Sequence, residues 1–232
     1  MVGEASRSQA GRSEMSMSRR RRVLRASAGV VGPVSFVSGW ALGGAMRPEY
    51  SPVHEAISQL ARIGAPHRPV MTTAFVAFGV AVPVFAPVLS DSLDAGKALT
   101  WSLSLAGLAT LGVAAFPLAR SGGSTEDLVH STFATLGYIG MALTPMLGAA
   151  AFHRLAHFRA AAASGTVGAV SAASLVATAF ASDVGLFQRL GLGVVDAWLV
   201  VMAISVLRSG NGWAAAAPVH SRVLRPPWDA ST

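Results

Sequence analysis

The sequence predicts an all-α protein, a polytopic transmembrane bundle of six helices with a short amphipathic interfacial helix between helices 1 and 2. The first observation behind this is composition, because 52% of the residues are hydrophobic and only 12% are charged. A soluble domain is nearer a quarter charged. The second is that six long runs carry almost no charge, and each is close to the ~20 residues that cross ~30 Å of hydrocarbon as a helix.

The first element is a basic N-terminal flank. Residues 1–22 are polar, Ser-rich and basic, and we expect them to be disordered. The run RRRVLR at 20–25, followed by an apolar stretch, also has the pattern of a cleaved twin-arginine signal. Because five further spans follow, we interpret it as the basic flank of a first transmembrane helix. Met1, Met15 and Met17 are all candidate initiators.

The membrane domain is expected over residues 23–208, and an irregular cytoplasmic tail over 209–232. Interior prolines are compatible with the spans, since neighbouring helices and Ser or Thr side chains can satisfy the carbonyls that a proline frees. The six spans are expected at residues 26–46, 70–90, 98–118, 130–152, 164–182 and 190–207.

The polar stretch RPEYSPVHEAISQLARIGAPHRP at 47–69 separates the first two spans. Ser51 is a good N-cap, and Pro52 suits the first helical position. Gly64 followed by Pro66 is a stop signal. The pattern therefore predicts an amphipathic helix at 52–63 that lies in the interfacial plane.

Small residues recur every four positions in the fifth span. Such a stripe lets helix backbones approach closely in lipid. We therefore expect the fifth helix inside the bundle. The residues of the stripe are Gly165, Ala169, Ala173, Ala177 and Ala181.

Positive charge predicts the orientation. Six spans place both termini on one side, and 13 of the 18 Lys and Arg residues then share that side, against 5 on the other. This is the positive-inside bias. We expect a multi-pass protein of the inner (plasma) membrane with both termini in the cytoplasm.

Candidate site residues cluster at the outer ends of the spans. Asp196 is the strongest single candidate, because a carboxylate inside a membrane span is energetically costly and normally faces the bundle interior with a partner. It is interpreted either as part of a structural network with Arg189, Arg120 or His130, or as a proton-transfer or catalytic group. The catalytic candidates are His130, Glu55 and Asp196, and the binding candidates are Tyr50, Ser51, His54, Ser58, Arg62, Glu126 and Arg189.

The sequence contains no clear motif for metal, thiol, nucleotide-phosphate or nucleic-acid chemistry. His153 and His157 are spaced for metal binding on a helix, but no acid lies nearby as a third ligand, so no metal site is expected. The chain contains no cysteine and no Gly-rich phosphate loop. We expect no cofactor and no nucleic-acid partner; membrane lipids are the expected partners, and the sequence gives no oligomeric state.

Three stretches resemble one family. RPEYSPVHEAISQL, FPLARSGGSTEDLVHS and GLFQRLGLGVVDAW are similar to segments of the domain of unknown function 998 family. The resemblance covers about residues 26–207. It implies a prokaryotic membrane protein of six helices and implies no activity. Gln188 occupies a position where that family often has an acidic residue. The resemblance therefore does not predict a Glu–Arg ion pair at this place on the outer face.

Three functions remain open. The first is a non-enzymatic lipid-binding or accessory membrane protein with a polar outer rim. The second is a membrane-embedded enzyme acting on a lipid or isoprenoid headgroup, with His130 or Glu55 as general base and Arg62 or Arg189 holding phosphate. The third is a small proton-coupled transporter that uses Asp196, although no inverted repeat is evident.

Overall fold

The structure, a computed structural model, describes residues 2–123, 125–209 and 213, with side chains from residue 17 onward. Every regular element in this part of the chain is helical, and six helices are long and apolar enough to cross a membrane. In α1 the spanning part is Met17–Ala45. The predicted fold class is confirmed. The helices are α1 (Val2–Ala45), α2 (Arg68–Leu93), α3 (Gly96–Ala115), α4 (Thr125–Arg154), α5 (Phe158–Ala177) and α6 (Val184–Ser209).

The predicted domain limits stay predictions. The limit between residues 22 and 23 falls within α1, and the limit between 208 and 209 falls at the end of α6. Of the expected tail, residues 210–212 and 214–232 lie outside the described part of the chain.

Consecutive helices pack against one another, and α6 closes the bundle by packing against α1. Smaller contacts join α6 to α2 and α4, so α6 lies towards the middle. Helix α5 packs chiefly against α4 and α6 and is the least buried of the six spans. The prediction that the fifth helix lies inside the bundle is wrong, because α5 lies at the periphery.

The buried face of α5 also differs from the predicted stripe. Ala169 and Ala173 of that stripe are exposed. Small residues occupy adjacent stripes of this helix, so periodicity alone could not select the packed one. A hydrogen bond from the Trp198 indole of α6 to Ser164 Oγ, at 3.0 Å, fixes the choice. The buried face consists of Ser164, Gly168, Ser171 and Ser174.

Glycines lie where neighbouring helices cross. A Cβ atom at Gly79 of α2 would lie 3.0 Å from the carbonyl oxygen of Gly107 in α3. A Cβ atom at Gly140 of α4 would lie 2.7 Å from the carbonyl oxygen of Ser102 in α3. A Cβ atom at Gly168 of α5 would lie 3.0 Å from the Ala142 carbonyl of α4. Since lipid supplies no hydrophobic force between helices, such close backbone contact is a main source of association.

Hydrogen bonds strengthen the crossing of α3 and α4. Ser102 Oγ donates to the Gly140 carbonyl at 3.0 Å, and Thr144 Oγ1 lies 3.1 Å from Ser102 Oγ. Both side chains are buried. In hydrocarbon a polar group needs such a partner, so this pair also fixes the rotation of α4 against α3.

The predicted amphipathic helix at 52–63 is not formed. Residues 52–55 make turns, Ala56 is extended with φ −59° and ψ 147°, and a short 3₁₀ helix covers Ile57–Ala61. Of the predicted apolar face, Ile57 and Leu60 are buried but Val53 is exposed. The segment therefore follows the end of the bundle as an irregular chain.

We expect Gly140→Ala to destabilise the bundle. The new methyl group would meet backbone atoms of α3 that cannot rotate away, and overpacking typically costs about 1–3 kcal/mol. The melting temperature in detergent should fall by several degrees. Gly193→Ala in α6 is the matched control, because nothing lies within 4 Å of a Cβ there. Equal melting temperatures for the two variants would contradict the close crossing.

Candidate functional site

The two ends of the bundle differ in chemistry. We call the end formed by the α1–α2 segment (residues 46–67), the α3–α4 connection and the α5–α6 connection the loop end. The opposite end, with the N-terminal part of α1 and the α2–α3 and α4–α5 connections, is the basic end. The predicted site residues of the α1–α2 segment lie at the loop end, and so do those near the starts of α4 and α6.

Arg189, one turn into α6, holds the α1–α2 segment in place. Its Nη1 donates to the carbonyls of Pro52 at 2.7 Å and Glu55 at 3.3 Å, and to Gly185 of its own helix at 3.0 Å. Its Nη2 donates to the Tyr50 hydroxyl. The guanidinium also lies over the Trp40 ring of α1, 5.2 Å from the centroid. One cation therefore joins α1, α6 and the segment between α1 and α2.

Tyr50 completes this contact from the segment itself. Only 6% of the side chain is exposed, and the hydroxyl lies 3.2 Å from the Glu55 carbonyl and 3.1 Å from the Ala56 carbonyl, to which it donates. Burial raises the pKa of the Tyr50 phenol, against the opposing effect of Arg189. The phenol therefore keeps its proton at neutral pH and remains a donor to the segment.

These contacts explain why no regular helix forms at 52–63. The Val53 carbonyl accepts a hydrogen bond from the Leu186 N–H at 2.9 Å. The Ile57 N–H donates to Gln188 Oε1 at 2.9 Å instead of to a carbonyl four residues earlier. The carbonyls of Pro52, Glu55 and Ala56 accept hydrogen bonds from Arg189 or Tyr50. Because α6 satisfies the backbone groups that a helix would pair internally, the segment gains nothing from helical geometry.

Ser51, His54 and Glu55 serve the segment's own shape. The Ser51 N–H donates to Glu55 Oε1 at 2.9 Å, and Ser51 Oγ accepts from the His54 N–H at 3.3 Å. This is the reciprocal pattern of a capping box, closed here around a turn. The His54 ring lies 2.8 Å from an Asp183 carboxylate oxygen, in an exposed contact.

The predicted binding residues Arg62 and Glu126 lie away from any enclosed space. Arg62 Nη1 donates to Gln59 Oε1 at 3.3 Å. Glu126 is exposed in the first turn of α4. Nearby, the Ile63 N–H donates to the Leu118 carbonyl at 3.0 Å, which joins the segment to the α3–α4 connection. These contacts position the loops at the rim.

Beneath the α1–α2 segment lies a cavity of about 310 Å³. This is at the small end of ligand-binding pockets. Aromatic and other apolar side chains of α1 to α4 and α6 form most of its wall. Its aromatic wall residues are Phe36, Phe75, Phe78, Phe133 and Tyr138, and its polar wall residues include Ser58, Thr110, His130, Ser131, Thr135 and Gln188.

His130 is the one predicted catalytic residue that lines this cavity. Only 3% of it is exposed. Its Nδ1 lies 2.7 Å from the Phe116 carbonyl at the end of α3, and a carbonyl can only accept, so Nδ1 carries a proton. In the neutral ring Nε2 is then an acceptor, and it is buried without a partner in the described part of the chain.

Tyr138 and Gln188 were not predicted as site residues. Gln188 Oε1 accepts a hydrogen bond from the Ile57 N–H at 2.9 Å, and Tyr138 lies near Gln188. Both line the cavity. The sequence signal for Tyr138 was a tyrosine inside an apolar span. Its nearness to Gln188 was not predictable, because Gln188 is fifty residues farther along the chain.

Asp196 does not join the cavity wall. Its side chain is 2% exposed, and both carboxylate oxygens lack a hydrogen-bond partner among the described residues. The expected network with Arg189, Arg120 or His130 is not formed. Arg189 donates to the α1–α2 segment, the His130 ring bonds to Phe116, and Arg120 lies exposed beside Gly64. Glu55, His130 and Asp196 therefore do not converge.

The pair His153 and His157 takes part in aromatic packing. The His153 ring meets the Phe158 ring edge-on at 5.4 Å, and the His157 ring lies 5.4 Å from that of Trp213. In the ranges that the structure describes, no cluster of three His, Asp or Glu side chains could hold a metal ion. The absence of a metal site stays a prediction.

Six apolar spans define this chain as a polytopic helical membrane protein. The profile of the family described as "Protein of unknown function (DUF998)" matches residues 30–205. This is more than half of the chain, and the protein belongs to that family. No curated protein and no solved structure gives a match.

We expect Arg189→Lys to release the α1–α2 segment. An ammonium group lacks the planar fork that reaches several carbonyls and a hydroxyl at once. Hydrogen bonds of charged groups are worth about 1.5–3 kcal/mol. Hydrogen exchange of the amides at residues 53–57 should therefore become roughly 10- to 100-fold faster.

Arg62→Lys is the matched control, because Arg62 donates only to a neighbouring side chain of the same segment. It should leave the exchange rates of these amides within about twofold of wild type, since one part-buried contact between two side chains contributes little. Slow exchange in Arg189→Lys would show that the segment is held by other contacts.

Proposed function

We propose that the protein is a non-enzymatic lipid-binding membrane protein whose cavity takes one neutral, hydroxyl-bearing amphipathic molecule. The observation that carries this proposal is His130, which lines the cavity and whose buried Nε2 has no hydrogen-bond partner among the described residues. A buried acceptor without a partner is costly, and a ligand O–H group would satisfy it.

The polarity of the wall supports an amphipathic ligand with one orientation. Ser58, His130 and Gln188 lie near the loop end, whereas Phe78 and Met141 lie farther along their helices. Met141 follows His130 by three turns of α4, which is about 16 Å along the axis. A hydroxyl group would therefore lie near the α1–α2 segment with its hydrocarbon part directed into the bundle.

The charge of the wall supports a neutral ligand. No Asp, Glu, Lys or Arg is among the described residues that line the cavity. A phosphate group placed there would lose its hydration without gaining a counter-charge. The arginines suggested as phosphate ligands are elsewhere, since Arg189 holds backbone carbonyls and Arg62 holds Gln59. Phosphorylated headgroups are thus disfavoured at this site.

A membrane-embedded enzyme is the second candidate, and the same atom favours it. A neutral imidazole whose Nε2 faces a bound hydroxyl group could act as general base, with Nδ1–H oriented by the Phe116 carbonyl. The described wall offers no carboxylate or cation that would stabilise a developing charge, so binding is the simpler assignment. Conversion of a retained lipid by purified protein would favour the enzyme.

A diazirine-bearing twelve-carbon alcohol and its methyl ether test the binding proposal. The ether keeps the shape but cannot donate a hydrogen bond. We expect saturable photolabelling of cavity residues by the alcohol and roughly 2- to 12-fold weaker labelling by the ether, the range for one neutral hydrogen bond. Equal labelling of the cavity by both probes would contradict the proposal.

His130→Asn sharpens this experiment. The asparagine amide can still donate to the Phe116 carbonyl, but the Nε2 acceptor is lost. Labelling by the alcohol should then fall to the level of the ether. His153→Asn, at the basic end of the same helix, is the matched control and should label like wild type. A His130→Asn protein that still prefers the alcohol would show that Nε2 does not hold the hydroxyl.

We further propose that the basic end faces the cytoplasm of a plasma membrane. The support is the distribution of the Lys and Arg residues, 13 of 18 of which share that side in the predicted topology. The chain has no cysteine, so single cysteines can be introduced as reporters. In intact cells an impermeant thiol reagent should label Val53→Cys and not Lys97→Cys. The reverse pattern would invert the orientation.

A further inference from the structure

A second site lies at the basic end, in a cleft of about 390 Å³ between the N-terminal part of α1 and the C-terminal part of α2. We call it the arginine cleft. Its wall consists of Met17, Ser18, Arg21, Arg22, Arg25, Val88 and Asp91. The three arginines lie within about one turn of α1, on the side of that helix that faces α2.

Arg22 is the fixed member of the cleft. Its Nη2 donates to Ser92 Oγ at 3.2 Å, and that serine donates to the Val88 carbonyl at 2.7 Å. These contacts hold the guanidinium against α2. Its Nε is buried and has no partner among the described residues. A buried N–H donor of a cation needs an acceptor, and no described protein atom accepts from this Nε–H group.

The charge of the wall is unbalanced. Three arginines face one carboxylate, that of Asp91, so the wall carries a net positive charge. In the described ranges no ion pair joins Asp91 to any of the three arginines. Arg21 and Arg25 are exposed and line the same cleft as Arg22.

We propose that the arginine cleft binds a phosphate group. Guanidinium groups match phosphate oxygens with paired N–H donors, and the hydrogen bond to Ser92 fixes the place of the Arg22 guanidinium in the cleft wall. Met17 begins the spanning part of α1, which puts the cleft at the level of lipid headgroups. The phosphate is therefore that of an anionic phospholipid or of a small soluble phosphate, and Met17 and Val88 give the cleft an apolar border suited to the former.

This site does not depend on the proposed function of the cavity. The cavity is at the loop end and takes a neutral hydroxyl group, whereas the cleft is at the basic end and takes an anion. Basic pockets between transmembrane helices are a general form of recognition for anionic headgroups. Either site can therefore fail its test without affecting the other.

Native mass spectrometry of the purified full-length chain tests the cleft. The probes are phosphatidylglycerol, phosphatidylcholine and inorganic phosphate, each added to protein in neutral detergent. The cleft variant is Arg22→Gln with Arg25→Gln. The matched control is Arg19→Gln with Arg20→Gln, which removes the same charge from adjacent positions outside the cleft wall. Melting temperatures of both variants identify any that fail to fold.

We expect wild type to prefer phosphatidylglycerol to phosphatidylcholine, and the cleft variant to lose roughly tenfold or more of that affinity. The control should stay within about twofold. If inorganic phosphate displaces the lipid from wild type, the site serves a soluble phosphate; if it does not, the lipid headgroup is the ligand. Equal losses in the two variants, or no loss in a folded cleft variant, would overturn the proposal.

Discussion

The loop end of the molecule depends on one cation, the guanidinium group of Arg189. Backbone that leaves helical geometry near a membrane needs partners for its polar groups, and Arg189 supplies them to Pro52 and Glu55 while it binds Tyr50 and lies over Trp40. The Leu186 N–H and the Gln188 side chain add two further contacts from α6 to the α1–α2 segment. Ala56, Ile57 and Ser58 of this irregular segment form part of the cavity wall.

Close helix crossings bring the backbones of neighbouring helices into contact. At Gly79, Gly140 and Gly168 the backbones approach so closely that a methyl group has no room. The large rings of Phe36 and Phe75 line the cavity nearer the loop end.

The two candidate sites use opposite chemistry at opposite ends. His130 offers a neutral acceptor inside a largely apolar wall, whereas the arginine cleft offers several donors with positive charge at headgroup level. Asp196 belongs to neither site, and its buried carboxylate has no partner among the described residues. We have no physical account of why a carboxyl group is kept at that place in α6.

The sequence by itself determined the six spans, their approximate limits and the family, because the length and apolarity of a run are local properties that the bilayer requires. It also named His130 and Arg189 as candidate site residues. Only the tertiary structure decided that α5 is peripheral and that residues 52–63 are irregular, since both depend on partners distant in sequence, such as Trp198 for Ser164 and Gln188 for Ile57. Sequence periodicity indicates which residues share a helix face, but the partner of that face is set by packing. For the same reason the cavity was not predictable, because its wall comes from five helices and the connecting segment, and no local pattern specifies how they meet.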